Sequence, residues 1–291
     1  MARLRDLVEL TRAPAALSVP GDAVAGAAAA DQLGPRTAGL AAASVCLYWA
    51  GMAANDWSDR DLDAKERPER PIPSGRVTPN QALGLAVGLT GAGLAVAALA
   101  GGRRALRVAA PLAGAVWAYD LALKNGPVGP AGMAVCRGLD VLLGASPGRV
   151  RRALRPAAVV AAHTYLLTAL SQREVHGADR RLPAATLAGT AAVAAAATVP
   201  VRSATAVPAV ARMGLGAVIV SWYLARFGRA QQRVLADPAA EAVRAAVGAG
   251  ITALPALQGA LTAAAGHPVT GAAVAAAYPA ARRLARKVSP T

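Results

Sequence analysis

The run Asn55-Asp56-Trp57-Ser58-Asp59-Arg60-Asp61-Leu62-Asp63 gathers oxygen ligands at helical spacing. Continued as a helix, it sets Asn55, Asp59 and Asp63 at i, i+4 and i+8, with Asp56 beside them, so their oxygens share one face. Carboxylates gathered in this way repel one another unless a cation sits among them. Magnesium suits such a set, because it takes one or two carboxylates and completes its shell with water and phosphate oxygens. The plainer reading is a solvated acidic loop neutralised by Arg60, Lys65, Arg67 and Arg70. Against it, the acids end an apolar segment on the side that otherwise collects cations, and Arg67-Pro68-Glu69-Arg70-Pro71-Ile72-Pro73-Ser74-Gly75 comes directly after them.

The elements that must position these residues read as membrane helices. Hydrophobic residues make up 55% of the 291 and charged ones 16%, yet the net charge is +15. A soluble domain carries about 25% charged residues, so something other than water solvates much of this chain. A bilayer-spanning helix needs about 20 apolar residues, and charges interrupt the sequence at that interval. The expected spans are 13–33, 37–54, 80–101, 105–122, 128–148, 156–172, 183–200, 206–227, 241–265 and 268–285. The fold class is therefore all-α: a multi-pass transmembrane bundle of nine core helices and a tenth C-terminal one, in one domain over 1–291. Backbone groups in hydrocarbon must be bonded internally, which makes such stretches helical, and abundant small residues let helices approach closely. The first span begins after Arg3, Arg5 and Arg12 and runs through Asp22, unlike the short apolar core of a cleaved signal peptide.

With the N-terminus in the cytoplasm, 20 of the 31 Lys and Arg fall on that side and nine on the other, with Arg137 and Arg212 inside spans. Counting Arg282, Arg283, Arg286 and Lys287 on the inner side requires the tenth crossing. The positive-inside rule then predicts a cell-membrane protein with its N-terminus and Asp-rich loops cytoplasmic. The cations form short clusters between apolar blocks rather than one aromatic-interleaved patch, which excludes nucleic acid as a partner. Arg outnumbers Lys by 28 to 3, a skew that a GC-rich coding sequence produces without functional meaning. Cys46 and Cys136 lie in apolar segments without metal-ligand spacing.

An ionisable side chain inside a membrane span is a functional candidate by default. Arg137 and Asp140, three positions apart, either serve the site or lock helices as a buried ion pair. Arg12 and Asp22 are candidates to face a central cavity, and Trp57 to line it. Trp49, Trp117 and Trp222 read as interfacial anchors. His163 and His267 belong to no constellation.

Asn-Asp-x-x-Asp-x-x-x-Asp over 55–63, with Arg-Pro-x-Arg-Pro-hydrophobic-Pro-x-Gly after it, resembles the UbiA superfamily of intramembrane prenyltransferases, as do helix number and order along the whole chain. Tyr119-Asp120-Leu121-Ala122-Leu123-Lys124 resembles that family's Tyr-x-x-x-x-Lys element, whose lysine meets the diphosphate; an orientation charge is the other reading of Lys124. Where the family carries a second Asp-x-x-x-Asp motif, this chain has Glu174 for the first acid, Ala178 where the second belongs, and Asp179 one residue late, about 100° further round a helix. Either the Gly177 region unwinds and re-aims Asp179, or the site is depleted and His176 takes part. Val19-Pro20-Gly21-Asp22, the 136–146 segment and Glu174-Val175-His176-Gly177 resemble the EboC-like branch, linked with export or processing of metabolite precursors.

The resemblance implies magnesium-dependent transfer of an isoprenyl group from its diphosphate to an aromatic or other lipophilic acceptor within the bilayer. Asn55, Asp56, Asp59 and Asp63 would be catalytic; Asp56, Asp59, Asp63, Glu174 and Asp179 would hold Mg2+; Lys124, Arg67, Arg70 and Arg137 would hold the diphosphate. The altered second motif implies the alternative, a non-catalytic or weakly catalytic membrane component that transports or processes a precursor.

Overall fold

A computed structural model describes residues 3–12, 16, 18–200 and 208–277, and all regular structure among them is helical. The α-helices are α1 Leu4–Leu10, α2 Pro20–Ala29, α3 Pro35–Ser58, α4 Arg60–Glu66, α5 Pro79–Ala118, α6 Gly129–Ala145, α7 Leu154–Ser171, α8 Arg181–Thr198, α9 Ala209–Tyr223, α10 Arg229–Ala236, α11 Ala240–Ala264 and α12 Pro268–Ala277. Proline at the first turn starts α2, α3 and α5, where its missing N–H costs nothing. Thr78 and Gln81 cap α5 reciprocally, Gln81 N donating to Thr78 Oγ1 and Thr78 N to Gln81 Oε1.

Five stretches among the described residues are long and apolar enough to cross a membrane: Pro35–Ser58, Pro79–Leu123, Val150–Ser171, Val210–Ala236 and Ala240–Ala264. The expected spans 80–101 and 105–122 both lie within the second of these. Gly102, at φ 63° and ψ −154°, is non-helical and divides it, a conformation that suits glycine. The two halves fold back on each other, and Trp117 Nε1 donates to Thr90 Oγ1 across them at 3.1 Å. The expected span 13–33 is shorter than its apolar run. Helix α2 has 10 residues, about 15 Å, starting at Pro20, and Asp31 comes after it in the left-handed region at φ 57°. Arg202, the four tail cations and the end of the expected tenth span lie outside the described residues.

Small residues set the closest helix crossing. A Cβ on Gly26 of α2 would sit 1.8 Å from the Val141 carbonyl oxygen of α6, and one on Gly144 would sit 2.0 Å from that of Ala23. In the C-terminal half, His163 Nδ1 lies 2.9 Å from Tyr223 Oη, and Gln231 Nε2 donates to Thr190 Oγ1 at 2.7 Å, so buried polar groups tie α7 to α9 and α8 to α10.

The molecule has two polar ends. At one, Arg104 donates to the Pro147 carbonyl, Arg152 pairs with Asp31, and Arg155 donates to the Val199 carbonyl. The other holds α1, the C-terminal end of α3, α4, the 67–78 loop, the chain around Lys124 and the 172–180 segment.

Candidate active site

Helix α3 passes into α4 with one bend at Asp59, at φ −89° and ψ 3°. The i→i−4 bonds nonetheless continue, Asp59 N to Asn55 O at 3.0 Å and Asp63 N to Asp59 O at 2.8 Å. The expected acidic face therefore forms, but as two stripes. Residues seven apart are nearly eclipsed after two turns, and Asp56 and Asp63 share one stripe. Asn55 and Asp59, four apart, make the other.

The first stripe is buried, with Asp56 and Asp63 side chains 6% and 4% exposed, and both carboxylates converge on one cation. Arg70 Nη1, from the Pro-rich loop, lies 2.7 Å from Asp63 Oδ2 and 3.3 Å from Asp56 Oδ1. Arg12 adds a contact to Asp56 Oδ1 at 3.0 Å, and Arg67 stands 4.0 Å from Asp63 Oδ1. Arg12 is held at φ 46°, an uncommon backbone state for a residue with a side chain.

Lys124 closes the second stripe. A π-helical turn, Tyr119–Leu123, precedes it, and its N–H donates to Tyr119 O at 3.0 Å. Such a turn inserts a residue into the helical repeat and re-aims the side chains beyond it. Lys124 Nζ reaches Asp59 Oδ1 and Ser58 Oγ, each at 2.7 Å, which joins the Tyr-x-x-x-x-Lys element to the acidic run. Asn55 Nδ2 donates to Asp120 Oδ1 at 3.2 Å. Asp120 carries the signal that marks Arg137 and Asp140, an ionisable side chain in an apolar span, and joins them on the wall of a cavity with Ser44, Tyr48 and Cys136.

Arg137 and Asp140 do not pair with each other. Arg137 Nη2 reaches Asp22 Oδ2 of α2 at 2.8 Å, whereas Asp140 accepts from Ser44 Oγ. The close α2–α6 crossing brings Asp22 to the guanidinium.

The second acidic segment is turned to other work. Gly177 is unwound at φ 77°, and Asp179 Oδ1 accepts from Leu182 N at 3.0 Å, capping the first turn of α8. Arg244 donates to the Glu174 carbonyl oxygen at 2.8 Å. Burial pushes the Glu174 carboxyl above its ordinary value and Arg244 pulls it back. His176 is exposed. Gln172 Nε2 donates to Gly126 O, so the segment stands beside the chain just after Lys124. Trp57 packs against the buried cluster that includes Leu10 and Ile72, and the Arg60 guanidinium lies 5.2 Å from its ring centroid.

Among the described residues, no three His, Cys, Asp or Glu side chains converge closely enough to hold an ion by themselves. Two carboxylates on one guanidinium nevertheless form a donor set that fits a divalent cation whose remaining ligands come from phosphate and water.

A model of the UbiA prenyltransferase family matches residues 18–287. The chain belongs to the UbiA prenyltransferase family. A digeranylgeranylglyceryl phosphate synthase of Methanopyrus kandleri is 37% identical to this UbiA protein over 163 residues, 54% of this chain and 56% of that one. The bacteriochlorophyll synthase 33 kDa chain of Cereibacter sphaeroides is 34% identical over 117 residues, 37% of each. The matches span about half or less of these curated relatives. A solved UbiA homologue from Aeropyrum pernix K1 superposes with a TM-score of 0.62 at 20% identity, over 84% of this chain and 96% of that one. A structure concerned with digeranylgeranylglyceryl phosphate synthase in membranes gives 0.65 at 16% identity, over 91% and 99%. The helical bundle is thus the UbiA fold, and the apolar helices make this UbiA protein an integral membrane protein.

Proposed function

We propose that this chain transfers an isoprenyl group from an isoprenyl diphosphate to a small acceptor within the membrane, with the site on the cytoplasmic face. The observation that carries the reading is the convergence of the two stripes, one on Arg70 and the other on Lys124. Relatives named as digeranylgeranylglyceryl phosphate and bacteriochlorophyll synthases support it.

Lys124, Arg67 and Arg70 hold the diphosphate, and Arg12 adds a fourth cation at the same end. Asp56, Asp59 and Asp63 would hold magnesium only together with phosphate and water ligands, and Asn55 fixes the Asp120 wall beside them. Magnesium, when bound, supplies positive charge against the leaving diphosphate. As the carbon–oxygen bond breaks, Lys124 and the arginines meet the growing negative charge from fixed positions, the geometry that lowers a barrier most effectively. Apolar walls that include Leu47, Met52 and Val116 keep water from the allylic cation until the acceptor attacks.

The test is diphosphate release from isoprenyl diphosphates by membranes carrying the full chain. Release is expected to require magnesium and to be lost in Asp56→Ala and Asp59→Ala. No release with any donor, together with unchanged donor binding in Asp59→Ala, would overturn the reading.

The engagement of Asp179 as a helix cap favours a second reading, a membrane carrier that binds the diphosphate without breaking it. Precursor accumulation that survives Asp56→Ala and Asp63→Ala supports the carrier.

A further inference from the structure

The outer surface of α9 and α10 carries a second basic feature that the acidic site does not use. Val210–Ala236 is one apolar stretch long enough to cross the membrane, and Val210, Met213 and Val218 of its α9 part are exposed, as side chains that face lipid are. A π-helical turn, Leu224–Gly228, then separates α9 from α10 and re-aims the side chains beyond it. Arg229 and Arg233 follow, one helical turn apart on the same face and both exposed. Among the described residues no acid lies within ion-pair distance of either. Of the acids that come next in sequence, Asp237 Oδ1 accepts from Ala239 N at 3.2 Å, and Glu241 is exposed in the first turn of α11. Two apolar grooves meet at Arg229. One runs between α8 and α10 and is walled by Leu187 and Ala191; the other runs between α10 and α11, walled by Ala245 and Ala249, with Arg226 and Arg233 beside Arg229.

Arginines near the end of a membrane helix also serve as orientation charges that snorkel to water. That role needs no groove, and a groove alone takes any lipid tail. The combination selects more narrowly, because it sets an anion-binding head between two apolar channels. Arg229 and Arg233 stand seven and three residues before Ala236, about 10 and 5 Å along the helix axis, which brings their guanidinium groups within reach of the headgroup layer. A guanidinium fork matches the oxygens of a phosphate, and basic pockets between membrane helices hold anionic headgroups by this means. A zwitterionic headgroup brings its own cation, which a cluster of arginines repels. We propose that α8, α10 and α11 form a binding site for one anionic phospholipid, with its phosphate on Arg229 and Arg233 and its acyl chains in the two grooves. The site stands apart from the acidic stripes and does not depend on the proposed prenyl transfer.

The experiment uses the full chain in detergent micelles, with phosphatidylglycerol and phosphatidylcholine of identical acyl chains as probes, and native mass spectrometry counts the lipid retained. One phosphatidylglycerol per chain is expected to be held about tenfold more tightly than phosphatidylcholine, the worth of one hydrogen bond between charged groups. Arg229→Gln with Arg233→Gln should abolish the preference. Arg103→Gln with Arg151→Gln removes the same charge from exposed positions at the other polar end and should leave it intact. Ala245→Leu fills one groove without touching a charge and should weaken phosphatidylglycerol retention severalfold. Thermal unfolding identifies any variant that fails to fold, and the preference of the unaltered chain with Ala245→Leu then decides. Equal retention of the two lipids by the unaltered chain overturns the site, and so does a preference that survives loss of both Arg229 and Arg233. A preference that falls equally in the Arg103 and Arg151 variant reports net charge alone and also overturns it. Retention of phosphatidylglycerol against geranylgeranyl diphosphate without magnesium supports the lipid, whereas its displacement would make the groove an entrance for isoprenyl diphosphate and overturn the proposal.

Discussion

Arg70 does two jobs that a substitution separates. It neutralises two buried carboxylates, and removing one partner of such a set leaves uncompensated charge. Arg70→Ala is expected to lower stability by about 3 kcal/mol, because Arg12 still reaches Asp56 but only the more distant Arg67 approaches Asp63. If the same carboxylates are the metal ligands, magnesium will recover much of that loss. Thermal unfolding in detergent should therefore show a larger magnesium-induced rise in Tm for Arg70→Ala than for the unaltered chain; equal shifts would remove Asp56 and Asp63 from the metal site. Lys124 carries a separate expectation. Lys124→Met keeps the aliphatic stem and removes the charge, and should lower kcat/KM for the donor by about 10²–10³, as expected for one fixed donor to a developing anion. The placement of Asn55, Asp56, Asp59 and Asp63 along one helical run was legible in the sequence because helical spacing is local geometry, whereas Lys124 was marked only by the resemblance of 119–124 to the UbiA element. The contacts of Arg12 and Asp120 were not legible, since their partners lie 44 and 65 positions away and meet only through tertiary packing.

Between the residues and the bundle stand short elements whose geometry aims the site. The 67–78 loop reaches inward through Arg70 and is anchored outward through Arg76, which lies 2.9 Å from Asp6 Oδ1 and 2.6 Å from Glu9 Oε2 of α1. The Arg76 hydrogen bonds hold the Asp6 and Glu9 carboxyls below their ordinary values. Lowered carboxylate values mean that the anchor is fully present at neutral pH and is lost as pH falls below the ordinary carboxylate range, through the lowered values. The pairs are partly exposed, so the effect is modest. Hydrogen exchange should report a loss of protection in the 67–78 loop of at most about fivefold in Arg76→Gln at pH 7, with the unaltered chain approaching the variant near pH 3. A loop equally protected in both at pH 7 would discard the anchor. Apolar runs gave the helices, but not the ten-residue α2 or the hairpin at Gly102, because hydropathy records the extent of an apolar run and not where the backbone turns within it. The second acidic segment was legible as altered and Gly177 as a point where the helix could unwind; that Asp179 then caps α8 was not, because the start of α8 is not fixed by the spacing of the acids.

At the scale of the whole molecule, the charges sort by end. Arg12, Arg70, Arg76, Lys124 and Arg244 gather where the acids are, while Arg104, Arg152 and Arg155 bind the other end. More of the cations are on the acidic end, and translocation disfavours moving such an end outward, so the positive-inside rule predicts that it faces the cytoplasm. Single cysteines at exposed positions decide it once the native Cys46 and Cys136 are replaced by alanine: Ser74→Cys in the loop beside the site and Arg36→Cys at the start of α3. In intact cells a membrane-impermeant maleimide should label Arg36→Cys and spare Ser74→Cys, and inverted vesicles should reverse the pattern. Labelling of Ser74→Cys from outside would place the acidic site across the membrane from cytoplasmic substrates and refute the orientation, whatever the activity measured in detergent.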